Sequence, residues 1–189
     1  ELEIHYEAVS DKDTIINMTN HAYFNLGTTA GGDILSHELM LNCDYFTPTD
    51  DKSIPTGEIR SVEGTAFDFR EFKPIGRDIG EDDIQLKQCG GYDHNFCVNG
   101  EIGKLRLVAK AKDEKSGRKL EVFSDLPGVQ LYTGNFMNGE MGKNGIGLDK
   151  HFGFCLETQY YPDTPNQPSF PQCTFKAGEK FKSLTIFKV

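Results

Sequence analysis

No stretch of this sequence approaches the roughly 20 consecutive apolar residues that a membrane-crossing helix needs. The opening residues, ELEIHYEAVS, also lack the basic start and apolar block of a secretion signal. No membrane partner is expected, and the chain is expected in the cytoplasm. The first residue is Glu1 rather than Met, which leaves a preceding segment open. Arginine is scarce: Arg60, Arg70, Arg77, Arg106 and Arg118 form no tight cluster of the kind that grips phosphate in pairs of hydrogen bonds. With 20 Lys and Arg against 29 Asp and Glu, the net charge of −9 argues against nucleic acid, whose phosphates need clustered cations. A neutral small molecule fits better. The five cysteines, Cys43, Cys89, Cys97, Cys155 and Cys173, are odd in number and show no C-x-x-C spacing, which excludes a tidy disulfide framework or zinc finger and points to reduced thiols.

Also missing are a Ser-based nucleophile elbow, a pair of metal ligands at helical spacing and a phosphate-binding loop, so no metal or other cofactor is expected. The Gly-rich segments at 26–33 and 139–147 carry neither the Gly-Lys-Ser/Thr nor the strand-turn-helix context, and they read as turns. No amphipathic helix stands out. Period-two alternation dominates instead. Leu2, Ile4, Tyr6 and Ala8 fall on one face of a strand; Leu105, Leu107 and Ala109 do so in KLRLVAK, and Leu120 and Val122 in KLEVFSD. VQLYT and SLTIFKV are rich in β-formers, and PTGE, QCGGYD, KSGR and LPG punctuate the runs as turns. The expected fold is all-β, an antiparallel sandwich formed by residues 1–189 as one unit. Asn17-Met18-Thr19 spells a glycosylation sequon, but within a stretch that reads as strand, so Asn17 is expected to be unmodified.

Against this background a few polar residues sit inside apolar strand contexts. Glu157 ends the run FGFCLE, where a charge survives only if something pairs it, hydrates it or uses it. His21 lies between amides and aromatics in NMTNHAYFNL. Asp93 and His94 occupy opposite faces of one extended segment, and Gln130 interrupts the apolar VQLYT. Each has a plain structural reading: a satisfied core His, a turn Asp, a solvent-facing Gln, a structural ion pair. Together, a His and a Glu without nucleophile or metal are a general acid and a general base. Asp93 and Gln130 add hydrogen bonds suited to a polyhydroxylated ligand, and Tyr23, Phe24, Tyr92 or Phe96 would supply an apolar face for a sugar ring. Cys155 shares the face of Glu157, and Cys97 that of Asp93; either thiol would then border the pocket, although small packing residues are the commoner case. His37 and His94 read as structural.

The motifs NMTNHAYFNLG, SHELMLNCDYFTPTDDKSIPTGEI, GTAFDFR, GYDHNF, SGRKLEVFSDLPGVQLYTGNF and FCLETQYYPDTPNQPSFP fall in order along the chain, and with them it resembles the galactose mutarotases, or aldose 1-epimerases. The resemblance implies the family's antiparallel β-supersandwich, of which this chain matches roughly the C-terminal half. It implies a free hexose, galactose or glucose, as substrate and the interconversion of its anomers as reaction. Glu157 would be the general base on the anomeric hydroxyl and His21 the general acid on the ring oxygen, with Asp93, Gln130 and Asn20 binding the sugar. It also implies a further His and an Arg from the N-terminal half, expected in the same or a partner chain, to which no position here corresponds. A carbohydrate-binding module on the same fold is the alternative. A hydrolase is disfavoured because such enzymes typically use two carboxylates.

Overall fold

The computed structural model describes residues 1–27, 32–142 and 145–189, so the Gly-rich segments read as turns lie partly outside the described residues. The strands are β1 (Leu2–Val9), β2 (Thr14–Ile15), β3 (Glu38–Leu41), β4 (Cys43–Thr47), β5 (Arg60–Ser61), β6 (Lys73–Pro74), β7 (Asp93–Val98) and β8 (Arg106–Lys112). They continue with β9 (Lys119–Ser124), β10 (Gly128–Tyr132), β11 (Glu140–Met141), β12 (Gly147–Leu148), β13 (Cys155–Gln159), β14 (Thr174–Phe175) and β15 (Lys180–Lys188). Six form one sheet in the order β1-β15-β9-β8-β3-β6, and five form a second in the order β13-β10-β7-β4-β5; every pairing is antiparallel.

The two sheets share one core. Leu39, Leu41, Val108, Ala111, Leu120, Val122 and Phe187 from the larger sheet meet Phe46, Phe96, Val129, Leu131 and Leu156 from the smaller, all buried. The alternation in the sequence makes this possible, because period-two side chains give each sheet one dry face. In β15, Phe181, Ser183, Thr185 and Phe187 point inward while Lys180, Lys182 and Lys188 stay in water. The hairpin between β8 and β9 turns at KSGR, where Asp113 N–H donates to Arg118 O at 3.0 Å and Gly117 adopts φ 73°.

Three expectations need correction. In β8 the ladder shifts register between Leu107 and Ala109, so Val108 and Ala109 both enter the core, while Leu105 precedes the strand and is exposed; a bulge breaks the alternation that grouped Leu105 with Leu107 and Ala109. QCGG is the end of a helix, α1 (Ile84–Cys89), rather than a free-standing turn. Asp83 caps its start by accepting from Gln85 N–H at 2.7 Å, and Gly90 ends it at φ 67°. Its six residues are too few to show a helical period. Finally, no strand covers Asn17: residues 16–23 lie outside any ladder.

That segment matters for the site. It runs beside β13, the edge strand of the smaller sheet, and is fixed at both ends. Phe24 and Phe154 exchange backbone hydrogen bonds of 2.8 and 3.0 Å just before β13. Just after it, the Asn17 amide donates to Tyr160 O at 3.0 Å and accepts from Tyr160 N–H at 2.9 Å. Side-chain and bridge contacts thus cover an edge that would otherwise offer bare backbone groups.

Candidate active site

The outer face of the five-stranded sheet carries the polar residues. Antiparallel register sets Gln130 opposite Glu157 on one side and Asn95 on the other, and Tyr132 opposite Cys155 and Asp93. The residues between them, His94, Phe96, Val129, Leu131 and Leu156, face the core. Asp93 and His94 therefore do lie on opposite faces of β7, and Cys155 and Glu157 share one.

His21 is brought over this face by the fixed segment. Asn20 Oδ1 accepts from Ala22 N–H at 3.1 Å, a local turn that presents the neighbouring ring to the sheet. The imidazole stacks on Tyr23 (5.1 Å between centroids) and meets Tyr132 edge-on (6.1 Å). Its Nε2 lies 3.5 Å from Glu157 Oε1, an ion-pair distance rather than a close hydrogen bond, and its Nδ1 lies 3.3 Å from Cys155 Sγ. The histidine forms the rim and the carboxylate the floor: the His21 side chain is 51% exposed, that of Glu157 11%.

Burial raises the pKa of Glu157, with the His21 charge pulling it back down and Asp93 pushing it further up. Asp93 is raised in the same way, against a hydrogen bond from Gln130 Nε2 to its Oδ1 at 2.8 Å. The Cys155 thiol is pushed well up, by burial first and then by the charges of Glu157 and Asp93, so it stays protonated near neutrality.

Behind these groups lies a relay that sequence reasoning missed. Gln159 Nε2 donates to Gln130 Oε1 (3.1 Å) and, at 3.4 Å, to Asn95 Oδ1; Asn95 Nδ2 reaches Thr47 Oγ1 at 3.4 Å. One branch runs from Gln159 through Gln130 to the Asp93 carboxylate, which orients the Gln130 amide, and the other from Gln159 through Asn95 to Thr47; together they satisfy polar atoms that burial would otherwise strand. A side chain at Gly128 would overlap Asn95 Oδ1 and approach the Tyr161 ring to 2.9 Å, so glycine is required beside the relay. The signal for Asn95 and Gln159 was present: each stands two residues beyond a recognised site residue and so shares its face.

The other sequence assignments divide. Tyr23 and Tyr132 pack around His21 on the polar face, but Tyr92 and Phe96 are fully buried and Phe24 packs on Phe154 and Phe187, so these three are core rather than sugar-facing. Cys97 sits with Tyr161 and Phe170 in a small apolar cluster, where burial pushes its pKa up to about 11. His37 is structural, its Nε2 accepting from Leu26 N–H at 2.9 Å. His94 is fully buried with Phe46 and Phe67 around it, and burial lowers its pKa to about 4. Among the described residues, the donor atoms of His21, Cys155 and Glu157 lie within 4.8 Å of one another and could hold an ion.

The fold is an antiparallel β-sandwich whose smaller sheet carries, on its polar face, an imidazole and a carboxylate beside amide donors. The chain belongs to the aldose 1-epimerase family, whose sequence profile matches residues 1–188. It is 47% identical to the galactose mutarotase of Bos taurus and 45% to that of Homo sapiens, covering 100% of this chain and 54% of each relative. The chain thus spans about half the length of these curated relatives. The crystal structure of the aldose epimerase homologue from C. elegans superposes with a TM-score of 0.86 at 27% identity, over 98% of this chain and 55% of that one.

Proposed function

We propose that this chain carries the catalytic pair of an aldose 1-epimerase and interconverts the α and β anomers of a free hexose, galactose or glucose. The observation that carries the reading is the approach of His21 Nε2 to Glu157 Oε1 at 3.5 Å on the polar face of a sheet. Glu157 takes the proton of the anomeric hydroxyl, and its raised pKa makes it a stronger base than an exposed carboxylate. His21 gives a proton to the ring oxygen, and the ring opens to the aldehyde. After rotation about the bond between the first two carbons, the two groups run in reverse: His21 takes back the hydroxyl proton, the hydroxyl oxygen attacks the carbonyl, and Glu157 returns its proton to the new anomeric oxygen. No atom of the sugar is gained or lost.

Asp93 and Gln130 hold sugar hydroxyls, their orientation set by the relay from Gln159. Tyr23 and Tyr132 supply the apolar wall. Asn20 shapes the turn that presents His21 through its Oδ1, and its amide N–H is assigned a sugar hydroxyl. The part of the family pattern outside this span, which the resemblance credits with a further His and an Arg, completes the site from the same or a partner chain. Five unpaired cysteines suit a reducing compartment such as the cytoplasm, and no helix among the described residues is long and apolar enough to cross a membrane.

Polarimetry on freshly dissolved α-D-galactose tests the reading. The chain is expected to speed the decay of optical rotation, and a Glu157→Gln variant is not. Sugar binding without any acceleration would favour a non-catalytic carbohydrate-binding domain.

A further inference from the structure

We propose that His21, Cys155 and Glu157 form a binding site for a soft divalent cation, zinc first among them, and that an ion seated there shuts the acid–base centre. The shutting rests on the catalytic reading above; the binding does not.

Two of the three ligands come from one rigid element. Cys155 and Glu157 are alternate residues of β13, so the strand fixes their spacing and sends both side chains to the same face. The third, His21, is held over them by the segment clamped at Phe24–Phe154 and Asn17–Tyr160. A tetrahedral zinc ion with bonds of about 2.0–2.3 Å sets neighbouring donors roughly 3.3–3.7 Å apart. The Cys155 Sγ to His21 Nδ1 distance, 3.3 Å, is already at that spacing. Glu157 stands 3.5 Å from the other nitrogen of the same ring, and the three donor atoms lie within 4.8 Å of one another, so its carboxylate has to shift towards the ion to complete the set.

The donor set also selects the ion. One sulfur, one imidazole nitrogen and one carboxylate oxygen suit zinc and its soft neighbours, whereas magnesium and calcium demand oxygen ligands that this cluster does not offer. Three protein ligands leave a fourth position, and the half-exposed ring of His21 leaves a path to it. Asp93 and Glu157 give the floor a negative potential that favours a cation. Cys97 supplies the contrast: it lies on the same sheet face, but its sulfur packs in an apolar cluster with Tyr161 and Phe170.

On binding, the sulfur, the Nδ1 lone pair and a carboxylate oxygen donate to the ion, and the thiol proton passes to solvent. One proton is released per ion and nothing is oxidised or reduced. Both groups assigned to proton transfer are then occupied, so ion and sugar exclude one another.

Cobalt(II), a spectroscopic stand-in for zinc, tests this on the untagged chain. The expected result is a sulfur-to-cobalt charge-transfer band that saturates at a single equivalent, disappears on adding zinc and weakens with excess galactose. Cys155→Ser should abolish the band and raise the zinc concentration needed to halve that variant's own anomer-exchange rate by at least about tenfold. Glu157→Gln should weaken the band as an independent check, and Cys97→Ser should leave it intact. No band in the wild type, or a band that survives Cys155→Ser, would overturn the ion site, and a band indifferent to galactose in a chain that exchanges anomers would overturn the shutting. A band in a chain that exchanges no anomers would sink the catalytic reading and keep the ion site; anomer exchange without a band would do the reverse.

Discussion

His21 and His94 make the sharpest contrast in the molecule, since His94 belongs to the smaller sheet, His21 is held over that sheet by a segment outside it, and the two lie on its opposite sides. His94 faces inward against Phe46 and Phe67, accepts from Asp93 N–H at 3.2 Å, and is held neutral. His21 faces outward, half in water, with a carboxylate at one nitrogen and a thiol at the other. One sheet, two faces and two environments turn the same side chain into packing in one case and into a candidate acid in the other. The residues between them divide in the same way, with Leu131 and Phe96 on one side and Gln130, Asp93 and Asn95 on the other.

The contrast is broken most severely on the polar face. Glu157→Gln keeps the shape and removes the base, and we expect the anomer-exchange rate to fall by about 10²–10⁴ with the melting temperature little changed. A loss of only a few-fold, measured by polarimetry, would move the base elsewhere. On the dry face, Leu131→Ala is expected to cost about 2–5 kcal/mol of stability, read from the denaturant midpoint. An equal loss from Gln130→Ala would mean that the two faces are not distinct in kind.

Acid should act through His94. Its folded pKa of about 4 lies below the ordinary 6.5, so the unfolded chain binds the extra proton first. Stability from this group is complete above about pH 6.5 and is lost as pH falls towards 4, by roughly 3 kcal/mol in all. Urea titrations at pH 7 and pH 5 should show a steeper loss in the wild type than in His94→Gln; matching slopes would contradict the buried neutral ring. The smallest effect is expected at the relay. Gln159→Leu removes the donor shared by Gln130 and Asn95, at a cost of about 1–3 kcal/mol, and should raise KM more than it lowers kcat. A change confined to kcat would give Gln159 a different part.

Much of this was legible in the sequence, and the failures have physical causes. Alternation found β1, β8, β9 and β15 and placed Asp93 and His94 on opposite faces, because a strand's period is short and local. It failed in β8, where one extra residue slips the ladder and sends both Val108 and Ala109 inward. It could not tell that Phe96 belongs to the core, since which face of a sheet is dry depends on the other sheet. The approach of His21 to Glu157 joins residues 136 positions apart, through a segment with no strand of its own, and only the folded chain reveals the Asn17 and Phe24 clamps that hold it. The helix at Ile84–Cys89 was hidden by its brevity.

The most direct test of the central claim is the anomer-exchange rate of galactose, followed for the wild type, His21→Gln, Glu157→Gln and the double variant. If the two groups act as one acid–base unit, the double variant should be hardly slower than the slower single one. Losses that multiply fully in the double variant would contradict the account.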